Sequence, residues 1–185
     1  SLGIRDNTLV VFTSDHGDMM GEHGLFLKGF MHYRGTLQVP LLISVPKQPS
    51  GRSQSLASSI DLGPTLMDAC KIPAYDGIQG RSLMPIVRNP EDSVRDFVLI
   101  EDDIVSVTAK LTPIPARTRS LIFADYRFTR NSKGEEQLFN LSQDPDEMED
   151  LKRSDPIRLE MLEVLSDAMM EADDSSRGAP ATEPV

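Results

Sequence analysis

"TLVVFTSDHGDMMGEHGLFLKG", residues 8–29, passes from an apolar, β-branched run straight into acids, histidines, glycines and one lysine. Residues 8–14 predict a short strand covered on both faces, because the run lacks the alternation of a half-solvated strand. In open α/β sheets, ligands bind in the crevice beyond the carboxyl ends of the strands. Asp15 and His16 follow the run directly. A carboxylate and a neutral imidazole on adjacent residues can share one divalent cation if the backbone turns sharply, as Gly17 allows. Two donors do not complete a site, since a hard cation takes about six oxygens and zinc about four ligands. A turn or cap role for Asp15 accounts for the same residues. Lys28 offers a point charge for phosphate or sulfate oxygens and a proton for a leaving group; a solvated loop lysine is the plainer reading. The chain has three histidines, His16, His23 and His32, and all fall in this region.

Working outward, "VPLLISVP" (39–46) predicts a second strand, ended by Pro46. "DLGPTLMDACKI" (61–72) predicts a helix with Asp61 as cap, Pro64 in the first turn and an apolar stripe of Leu62, Leu66, Met67 and Cys70. "RSLMPIV" reads as a short element, and "RDFVLIE" (95–101) as a third buried strand. Beyond it, "SLIFADYRFTRN" and "EEQLFNL", joined by "SKGE", predict an antiparallel hairpin. Asp155-Pro156 opens a helix with Ile157, Met161, Leu162, Leu165 and Met169 on one face. From residue 173 the tail has too little apolar content to fold. The pattern predicts an α/β core piece over 1–101, a small sheet-and-helix subdomain over 102–172, and a disordered tail over 173–185.

Composition sets limits. With 185 residues, 39% hydrophobic and 26% charged, the chain suits one globular domain with a small appendage. No apolar run approaches the roughly 20 residues of a membrane span. A single cysteine excludes an internal disulfide framework. The opening "SLGIRDNT" has neither an initiator Met nor a leader, so the chain reads as the interior of a longer product, and its compartment is open. Formal charge is −10, but residues 144–174 carry a net −9, whereas residues 1–60 carry +1. The acidity is a solvated helix face, and it leaves the histidine region free to bind an anion. Nothing in this balance points to nucleic acid.

The same residues carry a resemblance. "DNTLVVFTSDHGDMMGEHGLFLKG" resembles the second signature region of the sulfatases, in the alkaline phosphatase superfamily. The likeness continues through "MHYRGTLQVPLLISVP", "SSIDLGPTLMDACKIP" and "GIQGRSLMPIV", and closes on "QLFNLSQDPDEMEDL". It covers about residues 3–151 in order. The resemblance implies the C-terminal part of an alkaline-phosphatase-like α/β sheet core with an α+β appendage of hairpin and helix. It implies sulfate-ester hydrolysis with cleavage at sulfur. Asp15 and His16 match the family's C-terminal pair of metal ligands, for a cation that is usually calcium, with magnesium or manganese as alternatives. Lys28 matches the lysine that contacts sulfate and assists the leaving oxygen. His23, His32 and Arg34 are candidates for the substrate pocket. Arg34 stands where members usually carry Glu or Asp.

Half of the implied site has no counterpart. The nucleophile motif, Cys or Ser followed by x-Pro-x-Arg, which matures to formylglycine, is absent: Cys70 is followed by Lys71, Ile72 and Pro73 and reads as a packed thiol. The N-terminal paired aspartates are also missing. The chain is therefore expected to contribute metal and sulfate contacts for a sulfate-ester substrate and to need the N-terminal half of its own chain. Alone it is expected to be inactive. Two alternatives remain open: a phosphodiesterase or phosphonate monoester hydrolase of the same superfamily, and a non-catalytic association module. For the association module, sheet surface normally covered by the missing half predicts self-association.

Overall fold

The structure is a computed structural model, described here over residues 2–29, 31–103, 117–151 and 153–174. These divide into two units. One takes residues 2–13, 40–96 and 170–174, and the other 14–29, 31–39, 97–103, 117–151 and 153–169. The predicted disordered tail lies outside the described residues, apart from 173 and 174. Among the described residues, no helix is long and apolar enough to cross a membrane.

In the first unit, β1 (Val10–Thr13) pairs antiparallel with β4 (Leu41–Ser44), in a register that sets Phe12 opposite Leu42. Both predicted strands form. The expected cover on both faces does not: Val10, Phe12 and Leu42 are more than half exposed. A two-stranded ribbon has one hydrogen-bonded neighbour per strand and, among the described residues, nothing laid over this row. Helix α2 (Leu62–Ala69) forms as predicted, with Pro64 buried in its first turn. Its buried positions are Pro64 and Thr65, while Leu66 and Cys70 are exposed, so the predicted stripe is rotated and the packed-thiol reading of Cys70 is corrected. The reason lies in Asp61. Its side chain does not cap α2 but accepts the backbone N–H groups of Ser58 and Arg81 at 2.8 Å each and pairs with Arg95. That fully buried carboxylate ties the start of α2 to the segment leading into α3 (Met84–Arg88), where Leu83 N–H donates to Thr65 Oγ1 at 2.8 Å.

The second unit is organised by a four-stranded antiparallel sheet in the order β5 (Phe97–Asp103), β6 (Arg117–Phe123), β7 (Tyr126–Asn131), β8 (Glu136–Asn140). Strand periodicity separates its faces. Leu99, Leu121, Phe128 and Leu138 stand in one cross-strand row, and helix α4 (Ile157–Asp173) lays Met161, Leu165 and Ala168 on it. The predicted helix start is present, with Ile157 N–H donating to Asp155 Oδ1 at 3.1 Å. Its buried stripe takes Arg158 and Ala168, and leaves Met169 exposed.

The opposite face of the sheet is the more polar one, and its polar residues position the site. Its rows are Ile100, Ser120, Thr129 and Gln137, and Val98, Ile122, Arg127 and Phe139. Segment 31–39 covers it, with α1 (Arg34–Leu37) at its centre. His32 bonds Ser120, Gln137 donates to the Tyr33 hydroxyl at 3.0 Å, and the Arg127 guanidinium lies 5.2 Å from the Tyr33 ring centroid. "SLIFADYRFTRN" is two strands rather than one, because Ala124 adopts φ 48° and reverses the chain with Asp125. The stretch between Gly17 and Gly35 contains a small hairpin, β2 (Met19–Met20) with β3 (Phe26–Leu27).

Candidate active site

Everything proposed here lies in the second unit. His16 Nδ1 is 2.8 Å from the Gly17 carbonyl oxygen. A carbonyl only accepts, so Nδ1 carries the proton and Nε2 keeps its lone pair, the form that ligates metals. Lys28 Nζ stands 2.7 Å from that Nε2 and donates to it. Asp15 Oδ2 is 3.5 Å from the same nitrogen, while Oδ1 accepts the His16 backbone N–H at 3.0 Å. That backbone bond holds the Asp15 carboxyl below the usual range. One carboxylate, one imidazole and one ammonium thus meet at a single nitrogen.

Two backbone features bring them there. Gly17 N–H donates to the Thr36 carbonyl at 2.9 Å, and a Cβ on Gly17 would lie 2.1 Å from the Gly35 carbonyl oxygen. The glycine serves this close approach, because its φ is not in the left-handed region. Leu27, a bulky residue at φ 65°, turns the chain immediately before Lys28.

His16, Lys28 and His32 line one cavity of about 210 Å³, closed on another side by Ile100, Glu101 and Asp102. His32 has only 5% of its side chain exposed and stands 2.8 Å from Ser120 Oγ, with Nε2 3.9 Å from Asp102 Oδ2. Burial, with Arg127 and Arg119 adding repulsion, pushes its pKa down to about 4. Burial and the adjacent Asp103 push the Asp102 carboxyl up. His23 and Arg34 do not line this cavity. His23 stacks on Tyr33 with centroids 3.9 Å apart, and the Arg34 guanidinium donates to Gln38 Oε1 and the Pro145 carbonyl. Sequence reading missed Asp102, Ser120 and Thr129, which reach His32 only through strand register. A second concavity of about 270 Å³, between Asn140 and Leu151, has an acidic lining without a cation.

The His32 titration has a measurable consequence. Between pH 6.5 and about 4 the unfolded chain binds a proton that the folded chain refuses, so stability falls as pH drops through this window. Its slope is at most about 1.4 kcal/mol per pH unit. Above the window the two states agree, and below it no further loss accrues. Asp102, with its raised pKa, contributes the opposite sign near the acid end. Urea midpoints at pH 7, 6 and 5 are expected to drop more steeply for the native chain than for His32→Gln. Parallel curves would rule the effect out.

Among the described residues, no three His, Cys, Asp or Glu side chains gather as a metal site. Asp15 offers one anionic oxygen, and His16 one unprotonated nitrogen once Lys28 turns from it to the anion, which fits part of a divalent cation's shell. They leave several positions for donors from elsewhere.

A family model described as "N-sulphoglucosamine sulphohydrolase, C-terminal" matches residues 21–174. An arylsulfatase of Clostridium perfringens is 31% identical over 158 residues, which are 83% of this chain and 31% of that protein. The solved structure of BT4656, in complex with its substrate D-glucosamine-2-N,6-O-disulfate, superposes with a TM-score of 0.79 at 27% identity, over 95% of this chain and 37% of the other. The phosphonate monoester hydrolase of Agrobacterium radiobacter gives 0.78 at 23% identity, over 99% and 40%, a likeness of fold. The chain spans about a third of the length of the relatives it matches.

Proposed function

The chain belongs to the N-sulphoglucosamine sulphohydrolase C-terminal family of the sulfatases, and from that membership we propose that it forms the metal- and sulfate-facing part of a sulfuric ester hydrolase. The observation that carries this reading is the meeting of Lys28 Nζ and Asp15 Oδ2 at His16 Nε2, 2.7 and 3.5 Å away. Asp15 and His16 would hold a divalent cation, calcium in the first instance, with magnesium or manganese as alternatives. Such a cation, when bound, supplies positive charge to sulfate oxygens. Lys28 neutralises the anion from the protein side. As the sulfur–oxygen bond breaks, the Lys28 ammonium gives the departing oxygen a proton, which water later returns.

The attacking group, formylglycine in this family, comes from the N-terminal part of the parent protein. Exposed Val10, Phe12 and Leu42 support a contact with that part, and the same row favours self-association of the chain by itself. His23 and Arg34 remain outer candidates for extended substrates. BT4656 acts on a sulfated glucosamine, which supports a sulfated sugar as the substrate here.

Turnover tests the reading. The isolated chain is expected to hydrolyse neither an aryl sulfate nor a phosphonate monoester. The full-length gene product is expected to prefer the sulfate by at least about tenfold in kcat/KM, or roughly 1.4 kcal/mol of differential transition-state binding. Turnover by the isolated chain that disappears in Asp15→Ala, or a preference for the phosphonate, would overturn the proposal.

A further inference from the structure

The cavity has a second polar end, opposite in sign to the Lys28 end. Asp102 sits on the polar face of the four-stranded sheet, one strand residue beyond the Glu101 that is paired to Arg119 at 2.7 Å. Among the described residues, the Asp102 carboxylate has one ion-pair partner within 4 Å, His32 Nε2 at 3.9 Å, beyond hydrogen-bond reach. His32 is itself buried, with Nε2 toward the cavity and no hydrogen bond from that atom among the described residues.

A hydrogen-bond chain behind His32 assigns its tautomer. Arg127 Nη1 donates to Thr129 Oγ1 at 2.6 Å, and Thr129 Oγ1 lies 2.5 Å from Ser120 Oγ, which lies 2.8 Å from His32 Nδ1. If Thr129 donates to Ser120 and Ser120 to Nδ1, every proton in the chain has an acceptor. The reverse order strands the Thr129 proton and turns the Nε2 lone pair toward the Asp102 carboxylate. The imidazole is therefore neutral, with Nε2–H presented to the cavity as a donor beside a carboxylate acceptor.

We propose that His32 and Asp102 form a hydroxyl-recognition subsite, in which Nε2–H donates to a substrate hydroxyl oxygen and the Asp102 carboxylate accepts a proton from the same or the neighbouring hydroxyl. A donor and an acceptor standing 3.9 Å apart, neither atom with a hydrogen-bond partner among the described residues, suit a hydroxyl that both donates and accepts, or a vicinal pair. A flat apolar group satisfies neither. Among the described residues, the remaining lining, Met31, Thr36, Leu37 and Ile100 among it, includes no aromatic ring to stack on an aryl group. The subsite thus selects sulfate esters of polyhydroxylated alcohols over aryl sulfates. It rests on the reading of the Lys28 end as the sulfate site.

Steady-state measurements on the full-length gene product, with D-glucose 6-sulfate and phenyl sulfate as substrates and inorganic sulfate as inhibitor, separate the two claims. The sugar sulfate is expected to show a KM about tenfold below that of phenyl sulfate, the effect of one hydrogen bond to a charged group. Asp102→Asn, isosteric and at a partly exposed position, is expected to bring that ratio to within about twofold while leaving inorganic sulfate unchanged. His32→Gln, which keeps a donor, is expected to retain part of the preference, and His32→Phe none. Equal KM values for the two esters in the native enzyme, or an Asp102→Asn variant that keeps the preference or weakens all three ligands alike, overturns the subsite alone. An enzyme that turns over neither ester and is not inhibited by sulfate overturns the sulfate-site reading and the subsite with it.

Discussion

In the full-length enzyme, Lys28→Ala is expected to lower kcat/KM by about 10²–10³-fold, the usual loss when one preorganised donor to a developing negative charge is removed. The lysine is exposed and makes its contact with His16 through a single 2.7 Å bond, so the variant should fold with unchanged stability. A surface ammonium of this kind adds little to stability. The two functions assigned to it separate by leaving group. If Lys28 protonates the departing oxygen, esters of poorly acidic alcohols should lose most, because their alkoxides need the proton. Esters of acidic phenols, which leave readily as anions, should lose only the electrostatic share. Lys28→Arg should recover some binding but little proton transfer, since a guanidinium stays protonated and spreads its charge over a planar fork. A uniform loss across leaving groups would reduce Lys28 to an anion anchor. An unchanged kcat/KM would remove it from the site altogether.

That the sequence points to residues which the structure brings together has a physical reason. Asp15, His16 and Lys28 lie within 14 residues of one another, and a short hairpin suffices to bring them together. Local chemistry was equally legible in Asp155, which bonds the Ile157 N–H, and in Pro64, buried in the first turn of α2. The other wall of the cavity was not legible. His32 meets Ser120 across 88 positions of sequence, and Asp102 faces the cavity only because strand register assigns it to the polar side of the sheet. Neither residue type announces such a partner. The Ala124–Asp125 reversal was hidden for a different reason: the left-handed position is filled by alanine, where turn chemistry leads one to look for glycine or asparagine. Asp61 was legible as a helix-start residue, but its role as a buried anchor for Arg95, 34 positions away, depends on folding.

The covering of the polar face should depend on Glu147. Glu147→Ala is expected to destabilise the second unit by about 3–5 kcal/mol, the cost of leaving one member of a buried ion pair without its counter-charge. Glu147 and Arg127 are 2% and 1% exposed and bonded to each other through Nε and Oε1. Oε2 of the same carboxylate accepts the Arg34 backbone N–H at 2.7 Å, at the first residue of α1. One side chain therefore neutralises the guanidinium on the sheet and caps the helix laid over it. Its removal leaves Arg127 with the Thr129 hydroxyl and the faces of Tyr33 and Phe139, contacts worth far less than a desolvated charge requires. The chain has no tryptophan, and two of its three tyrosines, Tyr33 and Tyr126, belong to this unit, so tyrosine fluorescence in urea, measured in a Tyr75→Phe background, reports on it. A midpoint shift equivalent to less than about 1 kcal/mol would show that the pair is not what holds α1 down. Replacing both partners, Arg127→Met with Glu147→Leu, tests the same point from the other side. Much of the stability should return, because no charge is left stranded, while the Arg127–Thr129–Ser120 chain that sets the His32 tautomer is cut. That double variant should fold and yet lose the preference for a sugar sulfate over phenyl sulfate, which separates the stabilising role of the pair from its role in orienting His32.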